Sequence, residues 1–490
     1  MTDSVDLVIH GHFYQPPRED PWTGEVPEEP SAAPFHDWNE RITHECYGPC
    51  TQVPVEWPDG TTCAINLFEH LSFNVGPTLL SWLEGHHPEV YGRILDADRA
   101  TGNAIAQAYG HAILPLSDDR DLRTQVRWGL ADFRHRFGRA AEGMWLPETA
   151  VSERVLAVVA EEGIGFTILA PGQLRSVRPL EGAGGWEDLH GERGEPMGLV
   201  TTERPYRWCH PARPDLMLDL VVYEGGLAHQ LAFGEPTSAD VMQWVLDHAP
   251  NGGNVVAATD GETFGHHHPG AERMIAHALF VEAPARGVGT PHLPELLQRR
   301  PPTHQATVRT SAWSCAHGVG RWMHDCGCHT GGHAGWTQQW RAPLRNALDH
   351  LRDWAADVMD DRGVDLLGDP WLARDAYGDV VVGARSWEDF AAQFVVAEGR
   401  EDEARTLLEA QRFGLLMYTS CGWFFNDLAG IETVQILRYA ARSMDLYREL
   451  GVEPPIHTFL HDLGRARSND PSAGDGLRIW AEQVDGARPG

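Results

Sequence analysis

Three observations in the sequence predict an α/β barrel followed by a mainly α-helical domain. Strand-like and helix-like segments alternate up to about residue 285, and several short β-prone runs stop abruptly at a polar or acidic residue. After the breaker Arg300-Pro301-Pro302-Thr303 the pattern changes to long helical stretches. The domains are accordingly placed at 1–300 and 301–490. A chain of 490 residues that is 42% hydrophobic can fill one large barrel and a second core.

The elements follow in order. Val5-Asp6-Leu7-Val8-Ile9 is a β-prone run that leads into His10-Gly11-His12. Residues 18–34, rich in Pro and Glu, read as an irregular excursion after this strand. Leu79 to Asp96, Gln125 to Phe137 and Ser152 to Glu162 have helical periodicity, whereas Phe166 to Ala170 and Leu216 to Tyr223 read as strands. Between them, Gly143-Met144-Trp145-Leu146-Pro147 ends in Glu148, and Asn254-Val255-Val256-Ala257-Ala258-Thr259 ends in Asp260. In the second domain, helices are expected over 342–359, 387–418 and 431–450. No repeat with a period of about 20–50 residues is visible.

Composition narrows the partners. The formal net charge is −31, from 70 acidic and 39 basic residues, and every basic residue is arginine. Such a surface disfavours nucleic acid and anionic membranes, both of which require positive charge. The absence of lysine fits either adaptation to a saline cytoplasm, where salt screens self-repulsion, or a GC-rich genome. No apolar run approaches the roughly 18–20 residues of a membrane span, and no basic segment with an apolar core opens the chain. The expectation is a soluble, cytoplasmic protein. Eight cysteines without dense, even spacing fit a reducing compartment.

The chemistry is expected where strands end. Reacting side chains of α/β barrels sit at the carboxyl ends of several strands, so His10-Gly11-His12, Glu148 and Asp260 are candidates to share one pocket. Two carboxylates flanking a bond are the usual equipment of a glycosidase. Taken alone, Glu148 would equally suit the first turn of a helix, where the dipole favours an acid, and Asp260-Gly261 would suit a turn.

The segments HGHFYQPPRE at 10–19, HAILPL at 111–116, GMWLPETAV at 143–151 and DGETFGHHH at 260–268 resemble, in order, regions of glycoside hydrolase family 57. The resemblance covers most of residues 5–300. SAWSCAHGVGRW at 311–322 and MYTSCGWFFNDLAGIETVQ at 417–435 resemble a helical C-terminal domain of unknown function attached to some family members. The resemblance implies a distorted, seven-stranded (β/α) barrel, retaining chemistry on an α-glucan or maltooligosaccharide, Glu148 as nucleophile and Asp260 as acid/base. It leaves open α-amylase, 4-α-glucanotransferase and branching activity, and it sets no oligomeric state. In those roles Asp260 must hold a proton near neutral pH, which burial and a nearby Glu148 carboxylate both promote; Glu262 is the rival acid.

Further sugar contacts are expected from His12 and Gln15, with His10 as the alternative motif histidine because Phe13 and Tyr14 separate His12 from Gln15. His111, Glu262 and His266 join them. Aromatic platforms are expected from Trp38, Trp145, Trp313 and Trp423, drawn from 18 tryptophans; Trp322 lies in the same motifs. The helical domain is expected to complete the groove. Two-carboxylate chemistry needs no cofactor or metal. Cys315, His317, His324, Cys326, Cys328 and His329 nonetheless carry zinc-type donors in fifteen residues, although Cys-Gly-Cys is tighter than common zinc spacings. Two other classes remain: a metal-dependent deacetylase-like hydrolase using His10, His12 and an Asp, or a non-catalytic glucan-binding protein.

Overall fold

The computed structural model describes residues 4–57, 59–182, 184–190 and 200–488. The chain forms two compact units. The first comprises residues up to Gln15, Glu28–Gln107 and Arg136–Trp313; the second comprises Pro16–Pro27, Ala108–His135 and everything from Ser314. The division thus falls some way beyond residue 300, and two early segments belong with the later part of the chain.

The first unit is a mixed α/β structure. Its inner strands are β1 (Val5–Phe13), β2 (Ser72–Val75), β3 (Ala106–Gln107), β4 (Met144–Trp145), β5 (Phe166–Leu169), β6 (Arg213–Val222) and β7 (Gly253–Asp260). Parallel pairing joins β2 to β1, β1 to β7, β3 to β4 and β5 to β6. Single parallel bridges, Phe73 with Ala104 and Gly143 with Phe166, lie between the paired groups. The Glu224 amide donates to Val256 O at 2.7 Å. Pairing therefore spreads these strands over three small sheets in place of the single seven-stranded sheet expected. The physical reason is length: β3 and β4 have two residues each, too few for a ladder on both sides.

Parallel strands covered on both faces need continuous apolar runs, and from Asp6 onward β1 is buried at every position. Val8, Val256, Ala258, Ile168, Val221 and Trp145 meet in one core, to which Leu293 and Leu296 contribute from the helix Leu293–Arg299. The helix Glu153–Glu161 starts where Ser152 Oγ accepts from Val155 N, and it buries Val155, Leu156, Val158 and Val159. The single helix expected over 79–96 is two, Pro77–His86 and Pro88–Thr101, because Pro88 has no N–H to continue the ladder. Outside the expected pattern, Tyr206–His210, His304–Val308, Leu174–Pro179 and Glu187–Asp188 extend the β5–β6 pair into a six-stranded sheet. Val53–Glu56 and Thr62–Ile65 form a separate hairpin.

The second unit is helical. Arg341–Leu367, Glu401–Leu416 and Ile431–Glu449 are its long members, and the segment expected as one helix over 387–418 is split into Trp387–Phe394 and Glu401–Leu416. A buried polar chain ties them: Arg374 donates to Asp121 Oδ1 at 2.8 Å and to Gln411 Oε1 at 2.9 Å, and Gln411 donates to the Tyr447 hydroxyl at 2.8 Å. Burial raises the Asp121 pKa although Arg374 opposes it. Loss of Arg374 would strand that acid in the core, so Arg374→Met should destabilise this unit by about 3–5 kcal/mol, readable by chemical denaturation. Among the described residues no helix is long and apolar enough to cross a membrane.

Candidate active site

Strand register assembles the site in the first unit. His12 stands opposite Asp260 on β7 and opposite Asn74 on β2, and Gln107 on β3 stands opposite Trp145 on β4. The period of two along a strand puts His10 and His12 on the same face of β1. Both imidazoles stack on the Trp145 ring, with centroids 4.9 and 4.8 Å away.

A hydrogen-bond chain fixes these histidines. His10 Nδ1 lies 3.0 Å from Ser72 Oγ and its Nε2 lies 3.1 Å from Asn74 Oδ1. Asn74 Nδ2 donates to Gln107 Oε1 at 2.7 Å and lies 2.9 Å from His12 Nδ1. His12 Nδ1 thus faces the Asn74 amide, whose Oδ1 is also 3.3 Å away. Burial lowers the His10 pKa to about 3, so this imidazole is neutral at any ordinary pH. Asn74 and Gln107 were not among the expected site residues. Their one signal in sequence is a polar side chain in or at the end of a short apolar run.

Glu148 follows β4 in an unusual backbone. Its φ is 58° and that of Thr149 is 48°, two consecutive left-handed non-glycine residues. Such conformations cost about 1–3 kcal/mol each and persist only where neighbours enforce them. The enforcement is visible: Thr149 N donates to Leu146 O, Trp313 N donates to Glu148 O, and Gln173 Nε2 donates to Thr149 O. The turn leaves Glu148 half-buried, and Trp313 Nε1 donates to its Oε2 at 3.0 Å. A hydrogen bond to a charged group is worth about 1.5–3 kcal/mol. Trp313→Phe should therefore reduce kcat/KM by roughly tenfold to a hundredfold on any substrate that uses Glu148, with a normal circular dichroism spectrum.

Asp260 closes β7 with its side chain open to solvent, yet protein surrounds it on most sides. That crowding raises its pKa well above the usual carboxylate range, and the charges of Glu262 and Glu148 add to the shift. Burial, together with Asp260, also pushes up the Tyr223 phenol. The Gly261 that follows serves close approach: a Cβ there would fall 2.3 Å from the Phe13 ring.

Glu262 is 5% exposed and accepts from Tyr14 N at 3.0 Å and from the Tyr47 hydroxyl. Burial lifts its pKa from 4.5 to about 7, against the pull of those donors. The folded state therefore favours the protonated acid, and this stabilisation is complete below pH 4.5 and lost as pH rises through about 7. Glu262→Gln should flatten the fall in thermal midpoint between those two values, a change of up to about 3 kcal/mol.

The remaining expected residues divide. Gln15 is buried and its Nε2 donates to Tyr14 O at 2.9 Å. Trp38 and His266 are half-buried neighbours, 5.9 Å apart between rings, and His266 Nδ1 pairs with Glu45. Trp313 keeps an exposed part and meets Trp145 edge-on at 5.1 Å. Trp145 itself is fully buried beneath the histidines, which corrects its reading as a sugar platform: its exposure is 0% and its ring is covered by imidazole. His111 belongs to the second unit, where its Nδ1 lies 2.7 Å from Ser420 Oγ and burial lowers its pKa to about 3. Trp423 is also in that unit and is 1% exposed, stacked on Tyr418 with Arg345 beside it. The groove-facing indole expected there is thus a core side chain, as is Trp322, whose Nε1 donates to Ser420 O.

Two family profiles match the chain. The profile of glycosyl hydrolase family 57 matches residues 8–302, and that of the domain of unknown function DUF3536 matches residues 336–489. Alpha-amylase 1 of Dictyoglomus thermophilum is 30% identical over 139 residues, which are 27% of this chain and 20% of that protein. The chain thus matches about a fifth of that relative's length. Among solved structures, an exo-type maltose-forming amylase from Pyrococcus sp. ST04 superposes with a TM-score of 0.70 at 13% identity, covering 98% of this chain and 88% of that one. A branching enzyme from Pyrococcus horikoshii gives 0.56 at 14% identity, with 95% of each chain covered. Identity this low speaks to the fold alone.

Proposed function

Because the chain belongs to glycosyl hydrolase family 57, we propose that it cleaves or transfers α-glucan chains by a retaining mechanism, with Glu148 as nucleophile and Asp260 as acid/base. One observation carries the reading: Asp260, an exposed residue at the end of β7, has its pKa raised by the protein packed around it and by two neighbouring acids, one of which is Glu148. A glycosidase of this type requires that asymmetry, one carboxylate ionised and the other not.

In this reading Glu148 attacks the anomeric carbon while Asp260 gives its proton to the departing glycosidic oxygen, and the bond between them breaks. Asp260, now a carboxylate, takes a proton from an incoming hydroxyl that displaces Glu148 and restores the original configuration. Trp313 holds the Glu148 carboxylate in line, and the left-handed turn aims it. His12, held by Asn74 through Nδ1, hydrogen-bonds a sugar hydroxyl through Nε2. The barrel supplying these groups is read as β1 to β7 in chain order, on the support of the parallel pairs, the two bridges and the Glu224–Val256 hydrogen bond. The metal-dependent alternative finds less support, because both ring nitrogens of His10 are already engaged by Ser72 and Asn74.

Whether water or a sugar hydroxyl arrives second decides between hydrolysis and transfer. Maltooligosaccharides incubated with and without a labelled glucose acceptor separate the two: shorter products alone mean hydrolysis, and labelled longer products mean transfer. Unchanged substrate in both arms, with glucan bound, would instead indicate a non-catalytic binding protein.

A further inference from the structure

We propose that Cys315, His317, Cys326 and Cys328 bind one structural zinc ion within the helical unit. Their donor atoms all lie within 4.8 Å of one another. Cys315 Sγ is 4.0 Å from Cys326 Sγ and 3.9 Å from Cys328 Sγ, and Cys328 Sγ is 3.5 Å from His317 Nδ1. A tetrahedral ion with bonds of about 2.3 Å to sulfur and 2.0–2.1 Å to nitrogen has S···S edges of about 3.8 Å and S···N edges of about 3.6 Å. Three of the six donor–donor edges lie close to those lengths, and the others are no longer than 4.8 Å.

A disulfide explains the group less well. Its sulfurs would have to approach to about 2.05 Å, and any one pairing leaves a third thiol and the imidazole beside it. Two backbone amides point at the sulfurs, Arg321 N at Cys315 Sγ and Cys328 N at Cys326 Sγ, both at 3.4 Å. Amide donors of this kind orient and stabilise thiolate ligands. The tight Cys-Gly-Cys spacing is accommodated by Gly327, whose φ of 79° folds the chain so that both flanking sulfurs can face the same point.

Charge supplies a second, independent observation. Arg341 is 0% exposed and Arg321 is 5% exposed, and the Nε of each has no hydrogen-bond partner. Their guanidinium groups lie over aromatic rings, Arg321 over Phe424 and Arg341 over Trp340. Arg341 donates to Cys328 O at 2.9 Å, beside the cluster. Three thiolates and a neutral imidazole around a divalent ion carry a net charge of −1, which these buried guanidinium groups can balance. Binding releases the three thiol protons to solvent and changes no oxidation state. Soft sulfur donors in this geometry select zinc over magnesium or calcium. The ion would pin residues 315–328, a stretch whose only regular element is the single turn Gly320–Trp322, just before the long helix Arg341–Leu367.

The test uses the full chain, purified under reducing conditions without a histidine tag. Elemental analysis should find about one zinc per chain, and Cys326→Ser and Cys328→Ser should each lower it at least about fivefold, whereas Cys63→Ser should not. Should the serine variants fail to fold, titration of wild-type thiols with a mercurial should release zinc in step with three of them, and cobalt exchange should give the intense visible bands of a tetrahedral thiolate site. Reduced wild-type protein that neither holds nor takes up zinc or cobalt would overturn the proposal. So would zinc retained in full by both serine variants, or a disulfide among Cys315, Cys326 and Cys328 in chain isolated without air.

Discussion

Glu148→Ala should lower turnover of maltooligosaccharides by roughly 10⁴-fold or more, the scale on which loss of a nucleophile is felt. Azide added with an activated α-glucoside should restore part of that rate, since the small anion can attack from the space the side chain vacates, and the product should be a glycosyl azide of inverted configuration. The backbone argument sharpens the expectation. Alanine keeps the left-handed strain of position 148, where φ is 58°, while leaving Trp313 Nε1 without its acceptor. The fold should therefore survive with little gain or loss, and circular dichroism should be unchanged. Activity on starch equal to wild type would remove Glu148 from the mechanism.

Asp260→Ala is expected to act differently. Substrates with poor leaving groups should lose about 10²–10⁴-fold, whereas those whose leaving group needs no proton should be cleaved at a similar first-step rate. The pH profile carries the signature. Asp260 must be protonated to start the reaction, and its pKa is raised by burial, Glu262 and Glu148 in that order. In wild type, kcat/KM should then fall as pH rises through a value above the ordinary carboxylate range. In Asp260→Ala this alkaline limb should disappear, and the acid limb, set by the need for an ionised Glu148, should remain. A variant that keeps the alkaline limb would assign it to another group, with Glu262 the first candidate because its pKa is about 7.

The strand ends were legible because their signal is local. An apolar run that stops at His12, Glu148 or Asp260 states both the element and the place where it opens, and the register of β1 with β7 brings two of these residues side by side. The supporting groups were not legible. Asn74, Gln107, Tyr47 and Tyr223 matter through partners on strands or loops far away in sequence, and pairing of that kind has no local pattern. Trp145 and Trp423 illustrate the same limit from the other side. An aromatic residue inside a motif looks the same whether its face is open or covered, and here imidazoles cover one, while Tyr418 and Arg345 lie against the other.

The unit division was hidden for a related reason. A composition change near residue 300 is visible along the chain, but segments 16–27 and 108–135 join the helical unit through their contacts, not through their neighbours in sequence. Trp128 shows how: its indole donates to Arg374 O at 2.9 Å and occupies the space above Gly378, where a Cβ would lie 2.4 Å from the ring. The helical pattern of Gln125 to Phe137 was readable in advance, but that pattern says nothing about which core receives the helix.

The central claim is that Glu148 forms a covalent bond to the sugar and Asp260 does not. A fluorinated α-glucosyl fluoride that forms the glycosyl-enzyme quickly and releases it slowly tests this directly, with the modified peptide identified by mass spectrometry after digestion. The account predicts one sugar per chain on the peptide containing Glu148, with inactivation slowed by a competing maltooligosaccharide. A label on Asp260 or Glu262, or turnover of the reagent with inversion and no adduct, would contradict it.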